Sequence, residues 1–241
     1  MCYHTSEPDR TELDELYDHA VRTDEWDAYF HHLSGFEFKK VPVLTCEDNT
    51  RIQAFNWGLI PSWTKDIDGA KQSRMNCLNA KAETIFEKPS FRTAIMQRRC
   101  LFHVNGFYEW REVNKKKYPY FIKLKNQQAF ALGGIYERWV DKSSGEIFDT
   151  TAIVTTEANP LMAKIHNVKL RMPLIFDKES MRQWIEPNLS KEQITNLMKP
   201  FDETKMEAYT ISKQITSANA NEANVKAPFD YPELILLDAF D

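Results

Sequence analysis

The second residue of the chain is a cysteine, and this position gives Cys2 a distinctive chemistry. A leading methionine is normally trimmed when the next residue is small, so Cys2 would then carry a free α-amine beside its thiol. With ordinary pKa values of about 8 for the amine and about 8.5 for the thiol, part of each is nucleophilic at neutral pH. A second-position cysteine is also often an inert residue of a frayed terminus. Taken alone, Cys2 leaves both interpretations open.

Two further polar residues lie between apolar stretches of sequence. Asn79, in "CLNAKAET", can orient a nucleophile or a substrate oxygen, or it can cap a helix N-terminus. Glu109, in "NGFYEW", lies among aromatic residues, where desolvation raises the pKa of a carboxyl and suits it to proton transfer near neutral pH. Strand alternation places Glu109 on the same face as Phe107 and Arg111, so a structural ion pair with Arg111 or Lys81 is the alternative.

A histidine and a lysine complete the set of candidate residues. His166, in "MAKIHNVKLRMP", ends a predicted helix and precedes Lys169 and Arg171. Nearby cations lower the pKa of a histidine, which suits an acid/base group that is neutral at rest. A lone histidine is nevertheless more often structural than catalytic. Lys81 offers a point charge for a phosphate.

Charge is unevenly distributed along the chain. Its net charge is −4, yet the segment from residue 71 to residue 126 holds thirteen Lys and Arg against four Glu. A local basic surface can neutralise a few phosphates on an otherwise acidic molecule, although a solvated charged face is the plain alternative. The candidate contacts to nucleic acid are Arg74, Lys81, Arg98, Arg99, Lys115 to Lys117 and Arg171, with Trp57, Trp63 or Phe107 as stacking surfaces.

Several classes of protein are disfavoured by what the sequence lacks. The four cysteines form no C-x-x-C pair, which argues against a disulfide framework and against a metal site, and favours a reducing compartment. No glycine-rich phosphate loop is present, so no nucleotide or other cofactor is expected. The polar first twenty residues and the absence of a long apolar run argue against secretion and membrane insertion. We expect a cytoplasmic protein that is nucleoid-associated when bound to DNA.

The elements that must position these residues are strands in the middle of the chain and helices towards both ends. "RTELDELYDHAVRTDEWDAYFHH" has the apolar spacing of an acidic amphipathic helix. Strands are predicted in "KVPVLT", "RIQAFNWGLIPSW", "RRCLFHVNGFYEW", "YPYFIKLKN", "QAFALGGIYERW", "EIFDTTAIVTT" and "MEAYTIS". Helices are predicted in "ANPLMAKIHN", "KESMRQWI" and "LSKEQITNLM", the last capped by Ser190. We therefore predict one α+β domain over residues 1–241, with a mostly antiparallel, barrel-like sheet flanked by helices.

Five short motifs follow one another in an order that resembles a known family. They are an N-terminal "MC", then "WGLIPSW", "NAKAET", "GFYEW" and a downstream "IH" followed by "RMP". Together they are similar to the SRAP family, the SOS-response-associated peptidases that are also called abasic-site processing proteins. The resemblance extends to "PEL" near the C-terminus and so covers nearly the whole chain.

The resemblance implies that Cys2, after removal of Met1, captures the aldehyde of an abasic site in single-stranded DNA as a thiazolidine crosslink. Asn79 would hold the region of Cys2 and sugar hydroxyls, Glu109 would move protons, and His166 would assist ring opening, β-elimination or reversal. Lys81 stands where the family usually has Arg, and the chain has Tyr3 and His4 where the family commonly has Gly and Arg. "NVKL" separates His166 from "RMP", where the family usually has one residue.

Three functions remain as hypotheses from the sequence. The first is a DNA-damage enzyme, with crosslinking and possible lyase and self-reversal activities. The second is a cysteine-type peptidase that cleaves other chains or its own leader, with Cys2 as nucleophile and His166 as base. The third is a module that binds single-stranded DNA without covalent chemistry. The basic middle segment favours DNA over peptide, and a solitary domain suggests a monomer.

Overall fold

The computed structural model of the chain describes residues 2–17, 22–23, 29–216 and 221–234. Within them lie fourteen strands, numbered along the chain. These are β1 (His4–Ser6), β2 (Arg22–Thr23), β3 (Leu33–Ser34), β4 (Lys40–Thr45), β5 (Arg51–Trp57), β6 (Asn79–Lys81), β7 (Arg99–Val104), β8 (Gly106–Val113), β9 (Lys116–Leu124), β10 (Phe130–Val140), β11 (Ile147–Glu157), β12 (Arg171–Pro173), β13 (Ile175–Phe176) and β14 (Met206–Thr210).

The α-helices of the described residues are short and lie mostly outside the strand-rich middle. They are α1 (Arg10–Tyr17), α2 (Ile67–Asn76), α3 (Arg92–Gln97), α4 (Pro160–Ile165), α5 (Met181–Trp184) and α6 (Lys191–Leu197). Ser190 caps α6 through a reciprocal bond with Gln193, as the sequence predicts. Each strand segment predicted from the sequence contains a strand, and the α+β class is confirmed.

The strands form two sheets. One has the order β14, β9, β8, β1, β3, and all its pairings are antiparallel. The other has the order β12, β11, β10, β7, β4, β5, β2, with β13 paired to β10 and β6 paired to β11. It is mostly antiparallel, but β11 runs parallel to both β5 and β6, and β2 runs parallel to β5.

A shared apolar cluster holds the two sheets together. Phe107 and Ile122 of the five-stranded sheet pack in one cluster with Phe102 and Ile153 of the other sheet. Each of these side chains is fully buried, and Cys2 lies in the same cluster. The start of the chain is therefore part of this cluster, and β1 lies between β3 and β8 in the five-stranded sheet.

The N-terminal helix is shorter than its sequence pattern predicts. Its described part is Arg10–Tyr17, which buries Leu13, Leu16 and Tyr17 on one face. Residues 22–23 are a strand beside β5, because backbone pairing to the sheet competes with the weak helical preference of this polar segment. The predicted helical positions Ala20 and Val21 lie outside the described residues. No helix in the described part of the chain is long and apolar enough to cross a bilayer.

Candidate active site

Cys2 lies two residues before β1, and its side chain is fully buried. Strand β1 is held in register with β8 by the pairs Thr5 with Phe107 and Ser6 with Gly106. Burial raises the pKa of the Cys2 thiol far above its usual range, and the negative charge of Glu109 adds to the effect. The thiol is therefore held protonated, which corrects the expectation that part of it is thiolate at neutral pH. A base close by is needed before the sulfur can react.

Glu109 lies in the middle of β8 and faces His166. The nearest approach joins Glu109 Oε2 and His166 Nε2 at 3.8 Å. Burial raises the pKa of Glu109 to about 8, although the charge of Lys169 opposes this shift. The carboxyl is therefore mostly protonated at pH 7, as the aromatic surroundings in the sequence predict.

His166 is positioned by the end of α4. Asn159 caps the start of this helix, Pro160 follows at its first position, and the His166 N–H donates to the Met162 carbonyl at the other end. His166 Nδ1 lies 2.9 Å from the Arg171 carbonyl oxygen. Because a carbonyl only accepts, Nδ1 carries the proton and Nε2 presents its lone pair towards Glu109. This use of the Arg171 backbone has no signature in the sequence.

The electrostatics of His166 agree with its expected neutrality. Burial lowers its pKa to about 4, and the charges of Lys169 and Arg171 act in the same direction. The sequence predicts the direction from the two cations, whereas burial is the larger cause. A protonated carboxyl and a neutral imidazole thus face each other at pH 7, which is the arrangement of a proton donor beside a proton acceptor.

A cavity of about 400 Å³ opens onto this pair. It is lined by Tyr3, His4, Glu109, Trp110, Glu112, Lys117, His166, Val168, Lys169 and Thr216. His4 Nδ1 lies 3.0 Å from His32 Nε2, and burial together with this neighbour lowers the pKa of His4 to about 4. The two residues that depart from the family's usual start, Tyr3 and His4, therefore form part of the wall of the cavity.

Asn79 starts β6 rather than a helix, so its interpretation as a helix cap is wrong. It pairs in register with Ile153 of β11, and the preceding Leu78 belongs to the apolar cluster that contains Cys2. Among the described residues, both polar atoms of its buried amide are without a hydrogen-bond partner. Since such a group costs free energy, it points to a ligand or a local shift that supplies the missing bonds.

Some of the candidate phosphate contacts are exposed, and others form ion pairs with carboxylates of the protein. Lys81 is exposed in register with Thr155 of β11, whose backbone oxygen accepts from Arg171 Nη2 at 2.7 Å. Arg171 also pairs with Glu83, and the small exposed fraction of its side chain, 12%, makes it a positioning group. Arg98 pairs with Glu137 at 2.8 Å.

Two other residues selected from the sequence lie on the surface next to helix α2. Arg74, in its last turn, is half-buried with its guanidinium on the Phe38 ring. Trp63, before the helix, is 62% exposed. Both stay predictions as DNA contacts, and neither side chain lines the cavity.

Arg99 corrects the expectation of a phosphate contact. Its side chain is 1% exposed, and its guanidinium donates to the carbonyls of four residues. These acceptors are Ile95, Met96, Trp184 and Glu186. They lie at or just after the C-terminal ends of α3 and α5, where carbonyls need donors and positive charge is favourable. Arg99 therefore joins two helix ends inside the protein.

No group of three or more potential metal ligands occurs among residues 2–17, 22–23, 29–216 and 221–234.

Sequence comparison identifies the family of the chain. The model of the SOS response associated peptidase (SRAP) family matches residues 1–218. The chain belongs to this family. The match confirms the resemblance given by the five ordered motifs, and it includes Cys2, Asn79, Glu109 and His166.

Individual relatives support the assignment. The chain is 38% identical over 181 residues to "Abasic site processing protein YoqW" of Bacillus subtilis, an alignment that covers 74% of this chain and 77% of the relative. It is also 38% identical to "Abasic site processing protein YoaM" of the same species, over 76% of this chain and 78% of the relative. A crystal structure of a protein from Bacteroides thetaiotaomicron superposes with a TM-score of 0.88 at 37% identity, covering 95% of this chain and all of the other.

Proposed function

We propose that this SRAP protein processes abasic sites in single-stranded DNA, and that Cys2 captures the sugar aldehyde as a thiazolidine after Met1 is removed. The observation that carries the proposal is that Glu109 and His166 face each other across 3.8 Å on a cavity that Tyr3, the residue next to Cys2, also lines. The names of the relatives in Bacillus subtilis support DNA with abasic sites as the substrate. Met1 itself lies outside the described residues.

The first step joins the α-amine of Cys2 to the aldehyde carbon of the open-chain sugar. The product, a carbinolamine, must lose its hydroxyl as water to form an iminium ion. Glu109 is mostly protonated at pH 7 and supplies the proton that the departing hydroxyl takes. The step consumes one proton from Glu109 and releases one water.

The second step closes the ring through the thiol of the same residue. The Glu109 carboxylate left by the first step takes the thiol proton as the sulfur attacks the iminium carbon. This local base is needed because burial keeps the Cys2 thiol protonated. Glu109 ends the cycle protonated, so no outside acid is consumed. Capture by a thiol on the same residue is intramolecular and benefits from a large effective concentration.

His166 serves the steps that act on the sugar ring. Its neutral Nε2 is available to accept a proton, and the Arg171 carbonyl fixes the ring through Nδ1. Opening the closed sugar, β-elimination next to the iminium and reversal of the crosslink each need such a transfer. Lys117 and Lys169 line the same cavity and supply positive charge for the flanking phosphates.

The proposal is tested with single-stranded DNA that contains one abasic site. Mass spectrometry first confirms that the purified protein begins at Cys2. This protein should then give a slower band on a denaturing gel. The band should survive about 1 M salt, because a covalent bond is not screened. Cys2→Ala should abolish the band, whereas Cys46→Ala, which changes a partly buried cysteine elsewhere, should leave it unchanged.

Undamaged DNA provides the substrate control and should give no band with either protein. If the processed wild-type protein leaves abasic DNA unshifted, the covalent mechanism is wrong. Cleavage of a peptide substrate that depends on Cys2 would then favour the peptidase hypothesis.

A further inference from the structure

An aromatic pair lies at the edge of the cavity. Tyr3 lines the cavity together with Glu109 and His166. Its ring packs against Phe36, with centroids 5.2 Å apart and a tilt of 39°. Phe36 nevertheless leaves 45% of its surface exposed, which is a large fraction for a phenylalanine. We call Tyr3 and Phe36 the aromatic rim.

The segment that carries Phe36 is firmly held. The Gly35 N–H donates to the Tyr3 carbonyl at 2.8 Å, and the Phe38 N–H donates to the Gly35 carbonyl at 3.2 Å. A Cβ at Gly35 would lie 3.1 Å from the Trp57 ring, so the backbone is pressed against the core at this point. The exposed ring of Phe36 is therefore preorganised rather than left to move on a loose loop.

Three cations lie near the aromatic rim or line the cavity with Tyr3. On the same turn, Phe38 carries the guanidinium of Arg74 over its ring at 4.4 Å, and Arg74 donates to the Phe38 carbonyl. Lys117 and Lys169 line the same cavity as Tyr3. The carboxylate of Glu37 accepts from the Ser34 N–H. Exposed aromatic rings between cations are typical of surfaces that bind single-stranded nucleic acid.

We propose that the aromatic rim stacks the base of the nucleotide next to the abasic one. This inference rests on the proposed function and deepens it. An abasic nucleotide has no base, so contacts that hold the strand in place must come from its sugar, its phosphates and its neighbours. A neighbouring base offers a flat face whatever its identity, and the rim joins the cavity-lining Tyr3 to the exposed ring of Phe36. Stacking at this point would hold the abasic sugar at the cavity of Glu109 and His166 without selecting a sequence.

The test uses single-stranded DNA with a tetrahydrofuran analogue of the abasic sugar, which has no aldehyde and cannot react. The fluorescent base 2-aminopurine is placed directly 5′ or directly 3′ of the analogue, and its fluorescence reports stacking. The wild-type protein should quench it at one of the two positions. Phe36→Ala and Phe36→Leu should both lose the quenching and weaken binding about tenfold, since stacking needs a π face and not only apolar volume.

Phe229→Ala is the matched control, because Phe229 is 48% exposed and packs on Tyr231 much as Phe36 packs on Tyr3, but Tyr231, unlike Tyr3, does not line the cavity. It should bind and quench like the wild type. Quenching by both Phe36 variants at the wild-type level overturns the inference, even if the wild type crosslinks true abasic DNA. If the Phe36 variants lose the quenching while the wild type forms no crosslink with true abasic DNA, the stacking surface is supported and the proposed covalent chemistry is wrong.

Discussion

Replacing Glu109 by Gln should make the protein more stable at neutral pH while making it a slower catalyst. Glu109 is buried, and its pKa is raised from an ordinary value of 4.5 to about 8. A carboxyl with a raised pKa stabilises the fold fully below pH 4.5, and this contribution is lost as the pH rises through 8. Glutamine keeps the shape of the protonated carboxyl but has no proton to lose.

The size of the effect follows from the two pKa values. Each pH unit between them is worth about 1.36 kcal/mol, so the wild type should lose about 3–4 kcal/mol relative to Glu109→Gln between pH 5 and pH 8. Glu7, whose pKa burial raises to about 9, is present in both proteins and cancels in the comparison. The capture rate should fall about a hundredfold in the variant, which is the usual worth of a positioned acid/base group.

Urea unfolding of both proteins at pH 5 and pH 8 measures the difference directly. If the free energy of unfolding falls by about 3 kcal/mol per M urea, the gap between the two unfolding midpoints should widen by about 1 M urea at the higher pH. Glu109→Asp, which retains a titrating group, should keep a pH-dependent stability. A gap that stays constant between pH 5 and pH 8 would show that Glu109 ionises with an ordinary pKa, and it would remove the reason for assigning it the proton transfers.

Three other variants separate structural from functional residues. Arg99→Met should lower the free energy of unfolding by about 3–5 kcal/mol, because four carbonyls at two helix ends lose a charged donor; unchanged thermal unfolding would contradict this. Lys81→Ala should leave stability within about 0.5 kcal/mol but reduce the salt dependence of DNA binding by about one phosphate contact, as seen in a salt titration. Asn79→Ala should lower the free energy of unfolding by less than about 1 kcal/mol, because its amide has no described hydrogen bond to lose. The same variant should slow capture at least tenfold in single-turnover assays. Equal rates would refute a role of Asn79 in substrate binding.

The sequence predicts the secondary structure well where periodicity is strong. Alternation in "GFYEW" places Glu109 in a strand, and Ser190 marks the start of α6. It overpredicts the N-terminal helix, because residues 22–23 gain more from pairing with β5 than a polar segment gains from helix formation. Local pattern does not report such pairing, since the partner strand is distant in sequence.

The site divides in the same way between what the sequence determines and what the tertiary structure decides. The types and order of Cys2, Asn79, Glu109 and His166 are properties of the sequence, and they suffice to predict the family and the kind of chemistry. Whether a basic side chain lies in solvent or between two helix ends depends on tertiary packing. The exposed Lys81 and the buried Arg99 are therefore equally good candidate phosphate contacts in the sequence. The protonation states also depend on the fold, because burial is the largest cause of the shifts at Cys2, Glu109 and His166. Desolvation arises only when distant segments close over a group, and no local stretch of sequence contains that information.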